Sequence, residues 1–195
     1  MIFSIQNMFK KDKQLKNFYL VITAPEKSEY SEYYTITQDK GISDEFTIFR
    51  NFTLEDCKNH IEWWVDETRN KATPNLLFFI RITYESAEIY NENNSRLIGF
   101  ICISTASPGD FAYTGYFNLL NFGIISEFKN RGLMTTAMKM SIERFKELGY
   151  NLLPAFVKHD NLARMRVLEK CGFNYLNEPG SLLSLIGKLY IFRLK

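Results

Sequence analysis

The sequence predicts a single-domain α/β fold built on a mixed sheet, and three observations carry that expectation. Strand-like and helix-like segments alternate, first as a meander of strands and then as strand, helix, strand, helix, strand. The chain has 195 residues, 46% hydrophobic and 15% aromatic against 24% charged, which is enough apolar mass for a substantial core. No internal repeat, proline-rich linker or long run of one charge divides it.

The elements follow in order. Met1 to Lys16 places Ile2, Phe3 and Ile5 ahead of Lys10, Lys11, Lys13 and Lys16, the reverse of a secretory signal, and is expected to be a strand or arm. Asn17 to Thr23 is rich in β-formers, and Ser28 to Ile36 follows as a short helix. Thr53 with Glu55 and Asp56 signals a helix start. Leu54, Cys57, Ile61, Trp64 and Val65 then recur at helical spacing to about Asn70. Leu76 to Thr83 and Arg96 to Thr105 read as strands joined by the polar hairpin Glu85 to Ser95, and Pro108-Gly109-Asp110 as a turn. Tyr113 to Ile125 is a long strand. Gly132 to Leu148 is a helix with Met134, Ala137, Met138, Ser141, Phe145 and Leu148 on one face, stopped by Gly149. Leu152 to Lys158 is a strand, and Asp160 or Asn161 caps a helix that runs to Cys171 and ends at Gly172. Tyr175 to Leu176 and Lys188 to Leu194 are late strands around Pro179-Gly180.

Composition removes several classes of function. The 24 basic and 22 acidic residues leave a net charge of +2, too little for a nucleic-acid binder. The longest apolar run, Leu76 to Ile80, is far short of the roughly 20 residues that span a bilayer, so no membrane partner is expected. Cys57, Cys102 and Cys171 are widely spaced and odd in number, and with only His60 and His159 they form no metal pattern and no disulfide framework. The expectation is a reduced, cytoplasmic protein without a metal. The sequons at Asn51 and Asn93 are chance matches in such a protein.

Ser126 to Ala137 carries the strongest chemical signal. It joins a long strand to an amphipathic helix, and the first four N–H groups of a helix are unpaired and carry about half a positive charge. A diphosphate can be held there by backbone alone. Gly132 permits close approach, Lys129 and Arg131 add local charge, and Thr135 and Thr136 add hydroxyls. The segment has neither the GxxxxGK[ST] nor the GxGxxG pattern, which sets nucleotide hydrolases and Rossmann enzymes aside.

Lys129-Asn130-Arg131-Gly132-Leu133-Met134 resembles the R/Q-x-x-G-x-G/A acetyl-coenzyme A motif of the GNAT acetyltransferases. About thirty residues on, Asn161 with Leu168-Glu169-Lys170-Cys171-Gly172-Phe173 resembles their N-x-x-(S/A)…LEKxGF helix. Gly132-Leu133-Met134-Thr135-Thr136-Ala137 is also similar to the GYMTEA variant of the ribosomal-protein N-terminal acetyltransferase branch, the RimJ/RimL type. The resemblance covers Leu97 to Phe173 by motif and the rest by element order. It implies one N-acetyltransferase domain over residues 1–195, with a mixed, mostly antiparallel central sheet flanked by helices.

What the resemblance implies about the site is specific. Pantetheine pairs with a splayed strand, which maps to Phe122, Gly123 and Ile124. The pyrophosphate maps to the turn Lys129, Asn130, Arg131, Gly132, Leu133, Met134 and on to Thr135, and the helix asparagine to Asn161. Arg164 stands where the motif has Ser or Ala, and Leu168 where many relatives carry a Tyr that protonates the leaving thiolate, so no catalytic acid carries over. An attacking amine must be neutral, and the residues offered near the strand as proton acceptors or water orienters are Tyr116, Asn118, Asn121 and Glu127. The implied activity is acetyl-coenzyme A dependent transfer to a primary amine, either a protein N-terminus or a small molecule. The alternative, kept open by Leu168, is a non-catalytic coenzyme A sensor or partner-docking module. A homodimer through the late strands is the expected assembly by analogy.

The remaining conspicuous residues read as structural. Trp63, Trp64 and the Phe-rich strands are expected in the core, and His60 and His159 at surface or capping positions. The three thiols fall at packing positions, so direct transfer is expected over an acetyl-cysteine route.

Overall fold

A computed structural model describes residues 3–7, 18–69, 75–84, 94–105, 117–150, 152–176 and 187–193. Its strands are β1 (Phe3–Asn7), β2 (Phe18–Thr23), β3 (Leu76–Thr83), β4 (Ser95–Thr105), β5 (Phe117–Ile124), β6 (Leu152–Lys158), β7 (Asn174–Leu176) and β8 (Gly187–Arg193). The helices are α1 (Tyr30–Thr37), α2 (Lys40–Ser43), α3 (Leu54–Arg69), α4 (Leu133–Glu147) and α5 (Leu162–Lys170). The predicted hairpin tip at 85–93, the Pro108 and Pro179 turns and Tyr113 to Tyr116 lie outside the described residues.

One eight-stranded sheet runs in the order β1-β2-β3-β4-β5-β6-β8-β7. β1 to β5 form an antiparallel meander, and β6, β8 and β7 form a second antiparallel group. The two groups meet in parallel at a single bridge, Leu119 to Ala155. Past that bridge no further β5–β6 pairing occurs among the described residues. β3 is buried at all eight positions, so both of its faces are covered. α1 and α3 pack on each other and on β4 and β3, and α4 packs against β2 and α5.

Local chemistry explains most boundaries. Thr53 Oγ1 accepts from Asp56 N (3.1 Å) while Asp56 Oδ2 accepts from Thr53 N (2.8 Å), a reciprocal cap that starts α3. Asn161 Oδ1 accepts from Arg164 N (3.1 Å) and starts α5, which selects Asn161 over Asp160. Gly172, at φ 89°, ends α5 in a conformation that favours glycine. The first helix starts at Tyr30 instead of Ser28, because a 3₁₀ turn, Lys27–Glu29, precedes it. α2 and the 3₁₀ turn Thr47–Asn51 were not predicted, since so short a segment displays no period.

Three side chains depart from the expected stripes. Leu54, Trp63 and Leu148 are exposed; Leu54 and Leu148 sit at the ends of their helices, and Trp63 lies one position outside the buried face that Trp64 occupies. Cys57, Cys102 and Cys171 are buried, as packing positions require.

His60 is a correction of a different kind. It is half-buried in an aromatic cluster, stacked on Tyr33 at 5.7 Å and edge-on to Phe49 and Phe52. Trp64 Nε1 donates to its Nε2 (3.0 Å), which leaves the proton on Nδ1 to donate to Tyr33 Oη (3.1 Å). Burial pushes its pKa down to about 4 from the ordinary 6.5. Between those values the unfolded chain binds a proton that the folded chain refuses, so stability is complete above about pH 6.5 and drains as pH falls toward 4. The expected loss is on the order of 3 kcal/mol. Chemical denaturation across pH 4 to 7 should show this slope, and His60→Gln should flatten it; an unchanged slope in the variant would contradict the assignment.

Candidate functional site

One irregularity and one close backbone approach mark the β4–β5 pairing beside the cleft. The register passes from Cys102–Asn121 to Ile103–Leu119, leaving Leu120 as an extra residue in β5. Such a bulge bends the strand and adds twist, which turns the end of β5 away from β6. Gly99 lies opposite Ile124 with the Gly123 carbonyl against it, so a Cβ there would collide with backbone. A Cβ on Gly123 would meet the Phe46 ring at 2.8 Å, which explains why glycine holds that position.

After β5 the chain makes a 3₁₀ turn, Ser126–Phe128, and then the predicted phosphate turn. Asn130 and Gly132 both adopt left-handed conformations, at φ 62° and 78°. Alternation of this kind points successive amides to one side and builds an anion-binding hollow. Gly132 is the N-cap of α4 and among the described residues no side chain caps that helix, which leaves its first-turn amides for another partner. A Cβ at Gly132 would meet nothing within 4 Å; the glycine is required by its φ and not by crowding.

A cleft of about 320 Å³ opens here between β5, the turn and α5. Phe122, Gly123, Ile124, Lys129, Asn130, Gly132, Leu133, Met134 and Thr135 all line it, which brings together nine residues chosen from the sequence. Arg131 is not in the lining, and its guanidinium lies 5.6 Å from the Phe128 ring centre. Asn161 also stays out of the lining: beyond capping α5, its Nδ2 donates to Glu45 Oε1 (3.1 Å). The Lys129 ammonium donates to the Gly41 carbonyl (2.9 Å), fastening α2 to the turn. Asp39 adds to that fastening, accepting from Ser126 N (3.0 Å) and Ser126 Oγ (2.9 Å).

The proposed proton acceptors fare differently. Tyr116 lies outside the described residues. Asn118 takes its place in β5 opposite Ser104, and Asn121, half-buried, stands opposite Cys102. Asn121 does not line the cleft. Glu127 points to the exposed side, where it pairs with Arg96 at 2.7 Å. Leu168 is fully buried in the core, so α5 offers no side-chain proton donor there. His159 is exposed.

Sequence reasoning missed Glu45 and the role of Arg164. Glu45, between α2 and the second 3₁₀ turn, lines the cleft with Arg164, Arg166 and Lys170 of α5. With Lys129 the lining holds four cations and a single carboxylate, a local positive field on a nearly neutral chain. Arg164 Nε pairs with Glu45 Oε1 at 2.8 Å, Nη2 donates to the Phe122 carbonyl (3.1 Å), and the guanidinium lies 4.7 Å from the ring centres of both Phe46 and Phe122. Burial lowers its pKa, while Glu45 opposes that shift and favours the charged form. The one signal in the sequence was an Arg where the resembled motif carries Ser or Ala. Among the described residues, no cluster of His, Cys, Asp and Glu is suited to a metal, and no helix is long and apolar enough to cross a membrane.

A split mixed sheet beside an uncapped helix terminus is the arrangement that the sequence's resemblance to the GNAT acetyltransferases implies. The family model described as Acetyltransferase (GNAT) domain matches residues 19–174, and the chain belongs to that family of acyltransferases. Similar solved structures include the ribosomal-protein-S5-alanine acetyltransferase of Vibrio fischeri, 17% identical, covering 89% of this chain and 92% of that one with a TM-score of 0.63. RimL, a ribosomal L7/L12 α-N-protein acetyltransferase in complex with coenzyme A, is 11% identical over 90% and 94% of the two chains, with a TM-score of 0.64. An aminoglycoside acetyltransferase in complex with coenzyme A is 13% identical over 89% and 94%, with a TM-score of 0.66. Identities this low show a shared fold. No curated protein sequence matches this chain significantly.

Proposed function

We propose that the chain is an acetyl-coenzyme A dependent N-acetyltransferase that passes the acetyl group directly to a primary amine. The observation that carries this reading is the uncapped first turn of α4, entered through left-handed Asn130 and Gly132, at the open end of the β5–β6 split. The turn suits a diphosphate, the β5 edge at Phe122 to Ile124 suits the amide-bearing pantetheine arm, and Arg166 and Lys170 in the lining suit the cofactor's phosphates. When bound there, the co-substrate supplies an acetyl thioester. Backbone N–H groups near Ile124 would polarise its carbonyl, and the acceptor amine, neutral when it attacks, would displace the thiolate and lose one N–H proton to solvent. With Leu168 at the tyrosine position, solvent protonates that thiolate. The acceptor is either a protein N-terminus, as in the RimJ/RimL branch, or a small amine. A thiol-release assay across N-terminal peptides, aminoglycosides, polyamines and amino acids tests this, and cofactor binding without turnover on any amine would favour a sensor or docking role.

Direct transfer makes a kinetic prediction. Burial pushes the Cys171 thiol up to about 11 and raises those of Cys57 and Cys102, so none is a ready nucleophile. Initial-rate patterns should intersect, as for a ternary complex, and Cys57→Ala, Cys102→Ala and Cys171→Ala should each keep turnover within about fivefold where folded. Parallel lines with an isolable acetyl-cysteine would refute the mechanism.

A further inference from the structure

Ile125 N donates to the Ile98 carbonyl (2.9 Å), and the Gly123 carbonyl also lies against β4. Backbone groups alternate edges along a strand, so those of Phe122 and Ile124 face the opposite edge, toward the split. The last bridge to β6 is at Leu119, and an edge carbonyl beyond it has lost its ladder partner. A buried carbonyl needs a donor, and for Phe122 that donor is Arg164 Nη2 at 3.1 Å.

We propose that Arg164 is a positioning residue that holds the split open: it caps the Phe122 carbonyl on the free edge of β5 and leaves the Ile124 edge for the pantetheine arm. The proposal rests on the reading of the cleft as the coenzyme A site. The guanidinium is built in from three directions. The Glu45 carboxylate lies 2.8 Å from its Nε as an ion pair, the Phe46 and Phe122 ring centres each lie 4.7 Å from it, and Asn161 Nδ2 donates to the same Glu45 oxygen. Its planar fork serves Glu45 and the Phe122 carbonyl at once, and a lysine ammonium on a flexible stem cannot reproduce that geometry. Without the cap, the Phe122 carbonyl must find water or pull β5 toward β6, and either change spoils the edge that meets the cofactor arm. The diphosphate turn, which hangs on α4 and Lys129, is untouched.

The test compares two probes by calorimetry: coenzyme A, and 3′-phosphoadenosine 5′-diphosphate, which keeps the phosphates and lacks the pantetheine arm. Arg164→Met with Glu45→Gln removes both charges together, so no buried ion is stranded, and a thermal melt confirms folding. We expect coenzyme A affinity to fall about tenfold or more while the nucleotide probe changes less than about twofold. The KM for acetyl-coenzyme A should rise, with kcat at saturation within about threefold. Arg164→Lys keeps a cation beside Glu45 and should reproduce the selective loss more weakly, which preserves the test if the double variant fails to fold. Equal loss of both probes, or loss of neither, overturns the proposal. A wild-type protein that binds neither probe overturns the cofactor reading itself and the proposal with it. A wild-type protein that binds both leaves that reading standing whatever the variants do.

Discussion

Gly132→Glu should weaken coenzyme A binding several hundredfold and leave the protein folded. Gly132 sits at φ 78°, so any L side chain costs about 1–2 kcal/mol there, a fraction of the roughly 5–15 kcal/mol that holds a domain together. No atom lies within 4 Å of a Cβ built at that position, so crowding adds nothing to the strain. A carboxylate at a helix N-terminus favours the helix, which offsets part of the cost. The same carboxylate faces the site proposed for the diphosphate. Two like charges about 4 Å apart near a surface repel by roughly 4 kcal/mol, which corresponds to an affinity loss of several hundredfold. Gly132→Ala carries the strain without the charge and should lose far less. Calorimetry with coenzyme A, with circular dichroism to report folding, reads both variants. Undiminished affinity in a folded Gly132→Glu protein would remove the site from the α4 terminus.

The parts of this site that the sequence reveals are those encoded within a few residues. Gly132, the basic turn and Asn161 announce themselves because a left-handed N-cap and an asparagine cap are local necessities. The strand boundaries at Leu76, Thr83, Leu152 and Lys158 were legible for the same reason: runs of β-formers ended by turn-forming or charged residues. Contacts across the chain were not legible. Asn161 meets Glu45 across 116 residues and Lys129 meets Gly41 across 88, and nothing in either local pattern specifies those partners. α2, with only four residues, gave no periodic sign of the segment that supplies Glu45 and Phe46. His60 looked polar by its place in α3, yet Tyr33, 27 residues upstream, and Trp64, one turn away, make it part of an aromatic cluster. Asn161 shows the limit from the other side, since its capping role is present while its side chain reaches Glu45 and not the cleft lining.

Arg81→Met should be strongly destabilising. Arg81 is fully buried on β3, at the point where its register with β4 shifts past Ile98. Its Nη2 pairs with Glu29 Oε1 at 2.6 Å and Glu32 Oε2 at 2.7 Å, and Nη1 donates to Ser95 Oγ (3.3 Å). The two carboxylates continue the network into backbone, Glu29 accepting from Glu26 N (2.6 Å) and Glu32 from Leu97 N (3.0 Å). The cluster therefore locks the start of α1 onto β3 and β4. Removing the cation strands the Glu29 carboxylate in a buried site, and breaking a buried pair from one side costs about 3–5 kcal/mol. For a chain of this length that is a drop in Tm on the order of 10 °C. Adding Glu29→Gln and Glu32→Gln to Arg81→Met removes the stranded charge and should recover part of the loss, because the penalty is chiefly desolvation of an unpaired ion. Thermal melts of the single and triple variants decide the matter. A single variant that melts like the wild type would mean the carboxylates find water, and a triple variant no better than the single would assign the loss to other contacts of the Arg81 side chain, among them its guanidinium over the Phe79 ring at 5.9 Å.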